Sequence, residues 1–340
     1  MNKKPHILLT GASGAVGLEL LKQLYLERER FEITVFDIGS QRNKKILSQF
    51  SRGIEIVFGD IVNIKDIEKV CCGKDFVIHL CAIIPPLADK YPELAHKVNV
   101  TGTENLIKSL EQHSPESFII YSSSISVYGD RLNDPWISVH DRLFPSEGDE
   151  YGRTKIKAEQ IITGSSLDWS IFRLTAIMGK HKVSELMFHM PLTTMLEIGT
   201  PEDTARAFIN ALDCRDRISK NIFNLGGGEA CRTTYNEFLS RSFAVLGLGK
   251  LSFPDKAFAE KNFHCGFYMD GDELEDILHF RRDSLESYYK KLENSTKSVE
   301  KFLTVLLSGL IKRVLLKKSE PYRAFIRKDK IMKEHFFNNL

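Results

Sequence analysis

The stretch Thr10-Gly11-Ala12-Ser13-Gly14-Ala15-Val16-Gly17 decides the fold, because its glycines recur at every third position directly after the apolar run 7–9. The run indicates a buried parallel strand, and the apolar residues of segment 16–26 recur at helical spacing. Glycines at such a turn let the backbone approach a pyrophosphate, and the new helix presents free N–H groups to it. The stretch therefore predicts a dinucleotide-binding unit. The alternative is a glycine-rich turn without a ligand.

The same alternation of strand and helix continues along the chain. Strand-like runs lie at 7–9, 33–36, 54–58, 76–80, 118–121, 170–172 and 222–225, and helical patterns lie at 16–26, 92–112, 151–163 and 234–246. This order is typical of right-handed βαβ units. We therefore expect an α/β fold: a Rossmann-type doubly wound parallel sheet with a small C-terminal substrate-binding region and a helical tail.

The positions of these elements suggest a division of the 340-residue chain. We expect an NAD-binding Rossmann domain at 1–178, completed by about 203–228. A small substrate-binding region would comprise 179–202 and 229–290. A basic helical C-terminal extension would comprise 291–340.

Composition excludes several classes of function. The net charge of +2 gives no electrostatic case for nucleic acid. The six cysteines include no C-x-x-C pair, so neither a metal site nor a disulfide framework is expected, and a reducing cytoplasm is the simplest location. The N-terminus has no signal-peptide pattern, and no run of about 18 apolar residues predicts a membrane span.

Asp37 ends the second predicted strand, about 20 residues after the glycine stretch, where a carboxylate can accept hydrogen bonds from an adenosine ribose. The same carboxylate repels a 2′-phosphate, which favours NAD over NADP. Arg42, Lys44 and Lys45 lie close by and would attract such a phosphate, so NADP stays as the alternative.

Tyr151 and Lys155 share one face of a predicted helix at i, i+4 spacing. An ammonium group nearby would lower the pKa of the phenol, and a tyrosine so tuned can move a proton to or from a substrate oxygen. Ser124 belongs to the polar segment that follows the fifth strand, at the sheet edge where ligands bind, and could orient the same oxygen. The alternatives are an exposed helix face and a polar turn.

Taken together, the motifs resemble those of the extended short-chain dehydrogenase/reductases, the NAD-dependent epimerase/dehydratase type, over about residues 5–290. The matching segments are Thr10–Gly17, Gly59-Asp60-Ile61, His79-Leu80-Cys81-Ala82, Val98-Asn99-Val100-Thr101-Gly102-Thr103, the serine segment with Val127-Tyr128-Gly129, Tyr151 with Lys155, Arg173-Leu174-Thr175 and Glu202-Asp203-Thr204-Ala205.

The resemblance implies roles for individual residues. Tyr151 would be the acid/base, Lys155 would hold the nicotinamide ribose and tune Tyr151, and Ser124 would bind the reacting oxygen. Asn99 would support the active-site helix and is grouped with these catalytic residues. The implied cofactor-binding set is Gly11, Ser13, Gly14, Ala15, Val16, Gly17, Asp37, Asp60 and Ile61 beside the adenine, Cys81 and Ala82 along the channel, Tyr151, Lys155 and Thr175.

Two departures from the family pattern bear on the substrate. Sugar dehydratases of the family place an Asp-Glu pair after the catalytic hydroxyl residue, whereas this chain has Ile125 and Ser126, so dehydration is not expected. The segment 179–197 is short and rich in methionine, and Met187 and Met190 are candidate substrate contacts. The segment favours a substrate that is smaller or more apolar than a UDP-sugar. The alternative is ordinary core packing.

The tail is basic: residues 301–340 contain ten Lys/Arg and three Asp/Glu, a net charge of +7 that leaves −5 for the rest. An apolar helix flanked by cations can lie in a membrane interface, so peripheral membrane contact is one interpretation. The alternative, which the acidic body favours, is a helix packed on the body or on the second subunit of a homodimer, with its cations solvated.

The sequence thus predicts an NAD-dependent oxidoreductase that transfers a hydride at a secondary alcohol or ketone of a small molecule. The alternative is an epimerase of a nucleotide sugar or other sugar that retains its cofactor. A third hypothesis is a dinucleotide-sensing binding protein, which the presence of Tyr151, Lys155 and Ser124 disfavours.

Overall fold

A computed structural model describes residues 4–179 and 185–338 of the chain. Part of the methionine-rich segment, residues 180–184, and the two chain ends lie outside the described residues. The described strands are β1 (His6–Thr10), β2 (Glu32–Asp37), β3 (Glu55–Phe58), β4 (Phe76–His79), β5 (Phe118–Ser124), β6 (Trp136–Ile137), β7 (Asp168–Leu174), β8 (Ala176–Ile177), β9 (Met195–Gly199), β10 (Asn221–Leu225), β11 (Arg232–Thr234) and β12 (Phe267–Tyr268).

Helices cover both faces and the C-terminal part of the molecule. They are α1 (Ala15–Leu26), α2 (Gln41–Leu47), α3 (Ile64–Cys71), α4 (Leu87–Lys90), α5 (Pro92–His96), α6 (Gly102–His113), α7 (Glu150–Thr163), α8 (Pro201–Leu212), α9 (Arg215–Ile218), α10 (Tyr235–Val245), α11 (Gly271–Leu278), α12 (Leu285–Ser295), α13 (Ser298–Lys318), α14 (Glu320–Arg327) and α15 (Lys330–Phe336).

Seven strands form one parallel sheet in the order β3-β2-β1-β4-β5-β7-β10. Leu8 of β1 pairs with Thr34 on one side and Val77 on the other, so the chain order reverses at this central strand. Ligands of open α/β sheets bind outside the carboxyl ends of the strands at such a reversal. The predicted fold class is confirmed.

The sheet is buried on both faces, as expected for parallel strands. Ile7 and Leu9 of β1 pack into one apolar layer with residues of α1 and α8, and Leu8 packs into the opposite layer with residues of α3, α6 and α7. This alternation follows from the two-residue period of a strand. It fixes β1, and the glycine turn that follows it, in the middle of the molecule.

The predicted helix 92–112 differs from the structure. The segment consists of α5, a π-helical turn at Lys97–Thr101 and α6, which begins at Gly102. Such turns insert an extra residue and occur often at functional sites. The turn contains Asn99, whose buried side chain is used in long-range hydrogen bonds described below. The spacing of apolar residues in sequence does not reveal a turn of this kind.

The C-terminal part of the chain builds a third layer with its own apolar cluster. This cluster contains residues of β8, β9, α10, α12 and α13, and two smaller clusters contain residues of β6 with β12 and of α14 with α15. None of the helices in the described ranges has both the length and the apolar character needed to cross a bilayer.

Candidate active site

A cavity of about 650 Å³ opens along the carboxyl ends of the central strands, from the glycine turn after β1 to the first turns of α7. Most of the site residues that are predicted from the sequence line this cavity. The predicted residues that line it are Gly11, Ser13, Gly14, Ala15, Val16, Gly17, Asp37, Asp60, Ile61, Cys81, Ala82, Ser124, Tyr151, Lys155 and Thr175.

The glycine turn forms a cradle that side chains would fill. Gly11 has φ +76°, and a Cβ there would lie 2.7 Å from the backbone nitrogen of Cys81. A Cβ on Gly17 would lie 2.2 Å from the carbonyl oxygen of Gly11. Gly14 begins α1 without a side-chain cap, and the first turn of α1 contains no acidic residue. The turn therefore offers backbone N–H groups and the positive end of the helix dipole to an anion.

Asp37 lies at the end of β2 beside this cradle and is 5% exposed. Its carboxylate accepts hydrogen bonds from the Ser13 amide at 2.8 Å, the Ser13 hydroxyl at 3.0 Å and the Asn43 side chain at 2.9 Å. A carboxylate can accept about four hydrogen bonds. Asp37 thus holds the glycine turn in place and retains capacity for a further donor from the cavity.

His79 has no predicted role of its own, and its side chain lies beneath the site. Its ring bridges the hydroxyls of Thr10, at 2.7 Å, and Thr103, at 3.0 Å. Burial, together with the charge of Lys155, lowers the pKa of His79 to about 3. The ring is therefore neutral at physiological pH and joins the glycine turn to α6 without adding charge.

Ser124 and Tyr151 face each other at the inner end of the cavity. Burial raises the pKa of the Tyr151 phenol well above its ordinary value, and a hydrogen bond with Ser124 opposes that increase in part. The lowering of this pKa by Lys155 stays a prediction. The Lys155 ammonium is 5.6 Å from the centre of the Tyr151 ring and donates instead to the Ser122 carbonyl at 2.7 Å.

Lys155 is 2% exposed and also donates to the Tyr121 hydroxyl at 3.2 Å. Burial lowers the pKa of this ammonium to about 7, because the charged form loses its hydration. At neutral pH the group is therefore divided between its charged and neutral forms.

This shift predicts how stability depends on pH. The pKa of Lys155 is lower in the folded protein than the ordinary lysine value of 10.5, so folding releases a proton between about pH 7 and 10.5. The free energy of unfolding should rise with pH across that window, by up to about 1.4 kcal/mol per unit. We expect urea unfolding of the protein without cofactor to show the rise relative to Lys155→Met. If the free energies of unfolding of the two proteins changed with pH in the same way, the lowered pKa of Lys155 would be contradicted.

Asn99 lies outside the cavity lining, in the π-helical turn between α5 and α6. Its side-chain amide donates to the Thr154 hydroxyl of α7 at 2.9 Å and to the Ile83 carbonyl at 3.0 Å, and its oxygen accepts from the Ile83 amide at 2.7 Å. Ile83 lines the cavity. Asn99 thus joins the cavity wall to the helix that carries Tyr151 and Lys155.

A buried ion pair behind the site is a feature that the sequence analysis missed. Arg173 of β7 and Glu159 of α7 form two hydrogen bonds, at 3.0 and 2.8 Å, with side chains no more than 5% exposed. The Ser123 hydroxyl donates to the same carboxylate, and Arg173 also donates to the Tyr128 hydroxyl. The available signal was Arg173 itself, a charged residue between the strand-like run 170–172 and Leu174.

Met187 and Met190 do not have the position that the sequence suggests. Both are buried in the C-terminal apolar cluster with Phe188, Tyr235 and Phe238, and neither lines the cavity. The prediction of a substrate contact is therefore wrong for these two residues, because the apolar cluster of α10 and α12 covers them. Ordinary core packing is what the structure shows.

Comparisons with known proteins agree with this geometry. Residues 8–171 match the model of the 3-beta hydroxysteroid dehydrogenase/isomerase family. The 3 beta-hydroxysteroid dehydrogenase type 7 of Mus musculus is 27% identical over 167 residues, 46% of this chain and 43% of that protein. The 3-beta-hydroxysteroid dehydrogenase of Mycolicibacterium neoaurum is 31% identical over 168 residues, 47% of this chain and 43% of that protein. The matched region thus spans less than half of each relative.

Solved structures extend the likeness beyond this segment. The UDP-glucose-4-epimerase of Stenotrophomonas maltophila, solved with bound NAD and formylated UDP-arabinopyranose, has a TM-score of 0.70 at 18% identity. The likeness covers 85% of this chain and 97% of that chain, and at this identity it shows the fold. The resemblance stated from the sequence is confirmed: residues 8–171 are similar to the 3-beta hydroxysteroid dehydrogenase/isomerase family, and the chain shares the fold of NAD-bound epimerases of the extended short-chain dehydrogenase/reductase type.

Proposed function

We propose that the protein is an oxidoreductase that transfers a hydride between NAD and a secondary alcohol or ketone, with Tyr151 as the acid/base. One observation carries the proposal: a single cavity joins the glycine cradle to Ser124, Tyr151 and Lys155. A cofactor bound at the first end would extend its reactive ring toward the second. NAD, when bound, supplies or accepts the hydride.

The residues around the cradle fit this cofactor. The space that a Cβ on Gly11 or Gly17 would fill, and the uncapped start of α1, suit a pyrophosphate. Asp37 suits an adenosine ribose, and Asp60 and Ile61 line the wall where the adenine would lie. The NAD found in the related epimerase structure supports the same assignment.

The protein's own groups supply the proton transfer. The high pKa of Tyr151 keeps the phenol protonated at neutral pH, which is the form that donates a proton to a ketone oxygen as the carbon receives the hydride. In the reverse direction the phenolate form of Tyr151, which the Lys155 ammonium would stabilise, accepts the substrate hydroxyl proton as the C–H bond gives up its hydride. Ser124 holds the reacting oxygen, and Lys155 would bind the nicotinamide ribose and stabilise the phenolate.

The structure supports the exclusion of a dehydratase. Ile125 and Ser126 stand where dehydratases carry acidic residues, and both are buried in a 3₁₀ turn away from the cavity lining. No acid/base pair follows Ser124, so this part of the site offers no group to remove a second proton from a sugar carbon.

The substrate class is inferred from the curated relatives. Two of them are named as 3-beta-hydroxysteroid dehydrogenases, so an apolar secondary alcohol such as a 3β-hydroxysteroid is the first substrate to test. We expect NADH absorbance to rise when NAD and such an alcohol are added. The same assay run with ketones and NADH covers the reverse direction. Turnover confined to nucleotide sugars, or tight binding of UDP in calorimetry, would overturn this substrate class.

A sugar epimerase is the second candidate, because the related structure is an epimerase of this fold. An epimerase reduces its ketone intermediate with the cofactor that formed it, so purified protein would retain NAD that does not exchange. Net redox turnover requires exchangeable cofactor. Retained NAD together with interconversion of sugar epimers would favour the epimerase. A protein that binds NAD and turns over nothing would favour the dinucleotide sensor.

Asp37 provides a test of cofactor choice. Asp37→Ser removes the carboxylate that would repel a 2′-phosphate, while Arg42 at the cavity wall remains. We expect the ratio of NADP to NAD affinity to rise by about tenfold, equivalent to ~1.4 kcal/mol. Calorimetric titration with both dinucleotides measures it. Asp75→Ser, at the opposite end of the sheet, is the control. An unchanged ratio in Asp37→Ser would argue against contact between Asp37 and the ribose.

A further inference from the structure

Helix α13 turns its apolar side to solvent. Val299, Leu306 and Leu310 are 70%, 65% and 59% exposed, although they repeat at the spacing that normally marks the buried stripe of a helix. The exposed apolar residues of this helix are Val299, Phe302, Leu303, Val305, Leu306, Leu307, Leu310 and Val314, which we call the outer stripe.

The side of α13 that faces the body is mainly polar in its first turns. Lys301, Thr304 and Ser308 are partly covered, and apolar packing begins with Ile311 and Leu315 near the C-terminal end. A surface helix normally packs its apolar side against the body and exposes its polar side to solvent. Packing of the tail on the body or on a second subunit, with solvated cations, was the favoured prediction. Helix α13 does contact the body, but the side that makes these contacts is not its apolar side.

Specific contacts hold α13 in this orientation. The Lys301 ammonium is 3.3 Å from the Glu293 carboxylate, and the Lys312 ammonium donates to the Lys250 carbonyl at 2.6 Å. A Cβ on Gly247 would lie 2.9 Å from the Lys301 carbonyl oxygen, so the backbones approach closely there. Leu315 is 8% exposed within the C-terminal apolar cluster. Rotation of the helix to bury the outer stripe would break all of these contacts.

Cations continue the outer stripe at its C-terminal end. Arg313 and Lys317 follow Leu310 and Val314 by three residues on the same side of the helix, and both are exposed. The next two helices add exposed Phe325, Ile326 and Ile331. The exposed basic residues around them are Lys318, Arg323, Arg327, Lys328 and Lys330.

We propose that the outer stripe of α13 docks on the surface of an anionic lipid membrane. The helix, roughly 30 Å long, would lie parallel to the surface with its apolar side chains among the upper acyl chains. Arg313, Lys317 and the cations of α14 and α15 would contact lipid phosphates.

Charge selects lipid over a second copy of the chain. A pair of α13 helices would bring together two helices that each contain five Lys/Arg and one Glu, a net charge of +4 each, with Arg313 and Lys317 at the seam. An anionic bilayer neutralises the same charge and accepts the apolar stripe without a complementary groove.

Co-sedimentation of the full-length protein with vesicles tests the proposal. We expect binding to vesicles of phosphatidylcholine with phosphatidylserine and much weaker binding to phosphatidylcholine alone. The double variant Leu306→Ser/Leu310→Ser should bind at least about tenfold more weakly, because two exposed apolar side chains no longer enter the bilayer. Arg313→Gln/Lys317→Gln should lose the preference for phosphatidylserine in part.

The control is Leu26→Ser/Phe144→Ser, which removes two exposed apolar side chains from other surfaces and should bind like the parent. All the substituted side chains are exposed, so melting temperatures should stay unchanged. Absence of binding to phosphatidylserine vesicles, or equal binding by Leu306→Ser/Leu310→Ser, would overturn the proposal. Sedimentation equilibrium is run in parallel, and a dimer that this variant dissociates would identify a second copy as the occupant instead.

Discussion

Replacing Tyr151 with phenylalanine is expected to reduce turnover by about 10²–10⁴-fold while NAD affinity stays the same. The change removes the only oxygen of a side chain that lies at the inner end of the cavity beside Ser124. Without it, no group at this position gives a proton to the forming alkoxide or takes one from the substrate hydroxyl. The ring itself remains, so the packing of α7 and the cofactor cradle should not change.

Steady-state rates and calorimetric NAD binding, measured on the same preparation, check this expectation. Tyr91→Phe is a suitable control because Tyr91 is 47% exposed and does not line the cavity. Full activity in Tyr151→Phe would rule out the acid/base role. A parallel loss of NAD affinity would show that the phenol serves binding rather than proton transfer.

Replacing Arg173 with methionine is expected to lower the free energy of unfolding by about 3–5 kcal/mol. The change leaves Glu159 buried without its ionic partner, and the Ser123 hydroxyl alone cannot compensate for the lost charge. Since Glu159 lies on α7 one turn after Lys155, the site should be disturbed together with the fold.

Urea unfolding of three proteins measures the effect. The double variant Arg173→Met/Glu159→Leu removes both charges and should recover most of the lost stability. Lys108→Met breaks the exposed pair with Glu104 and should change stability by less than about 1 kcal/mol. If Arg173→Met were no more damaging than Lys108→Met, the buried pair would not contribute as the geometry indicates.

Local sequence was enough to predict the fold and the cofactor side of the cavity. The glycine turn follows β1, Asp37 ends β2, and the Tyr151–Lys155 pair lies in the first turns of α7. Parallel strands bring their carboxyl ends to one edge of the sheet. Fifteen predicted residues therefore meet in one cavity although they are spread from Gly11 to Thr175.

Features that depend on distant partners could not be predicted in this way. Asn99, in the π turn, forms hydrogen bonds with Ile83 and Thr154. The spacing of apolar residues in segment 92–112 indicates neither the turn nor these bonds. The Lys155 ammonium donates to the Ser122 carbonyl rather than to Tyr151, a choice of partner that i, i+4 spacing does not specify. Methionines at 187 and 190 suit a core and a pocket equally well.

The tail illustrates a further limit of periodicity. The repeat in α13 shows which residues share a side of the helix, but it does not show which side meets the body. Gly247 and the Lys301–Glu293 pair decide the orientation, and they lie in different elements. Spacing in sequence therefore does not assign the side of this helix that packs on the body.

The lowered pKa of Lys155 has a chemical consequence. A solvated lysine is almost entirely protonated at neutral pH and reacts slowly with electrophiles, whereas an amine whose pKa is about 7 is half unprotonated and nucleophilic. Lys155 is 2% exposed and lines the cavity, so a small acylating reagent has to enter the cavity to reach the amine. A ligand that fills the cavity would shield the same nitrogen. Covalent labelling at this one side chain thus becomes a gauge of how much of the protein has its cavity occupied.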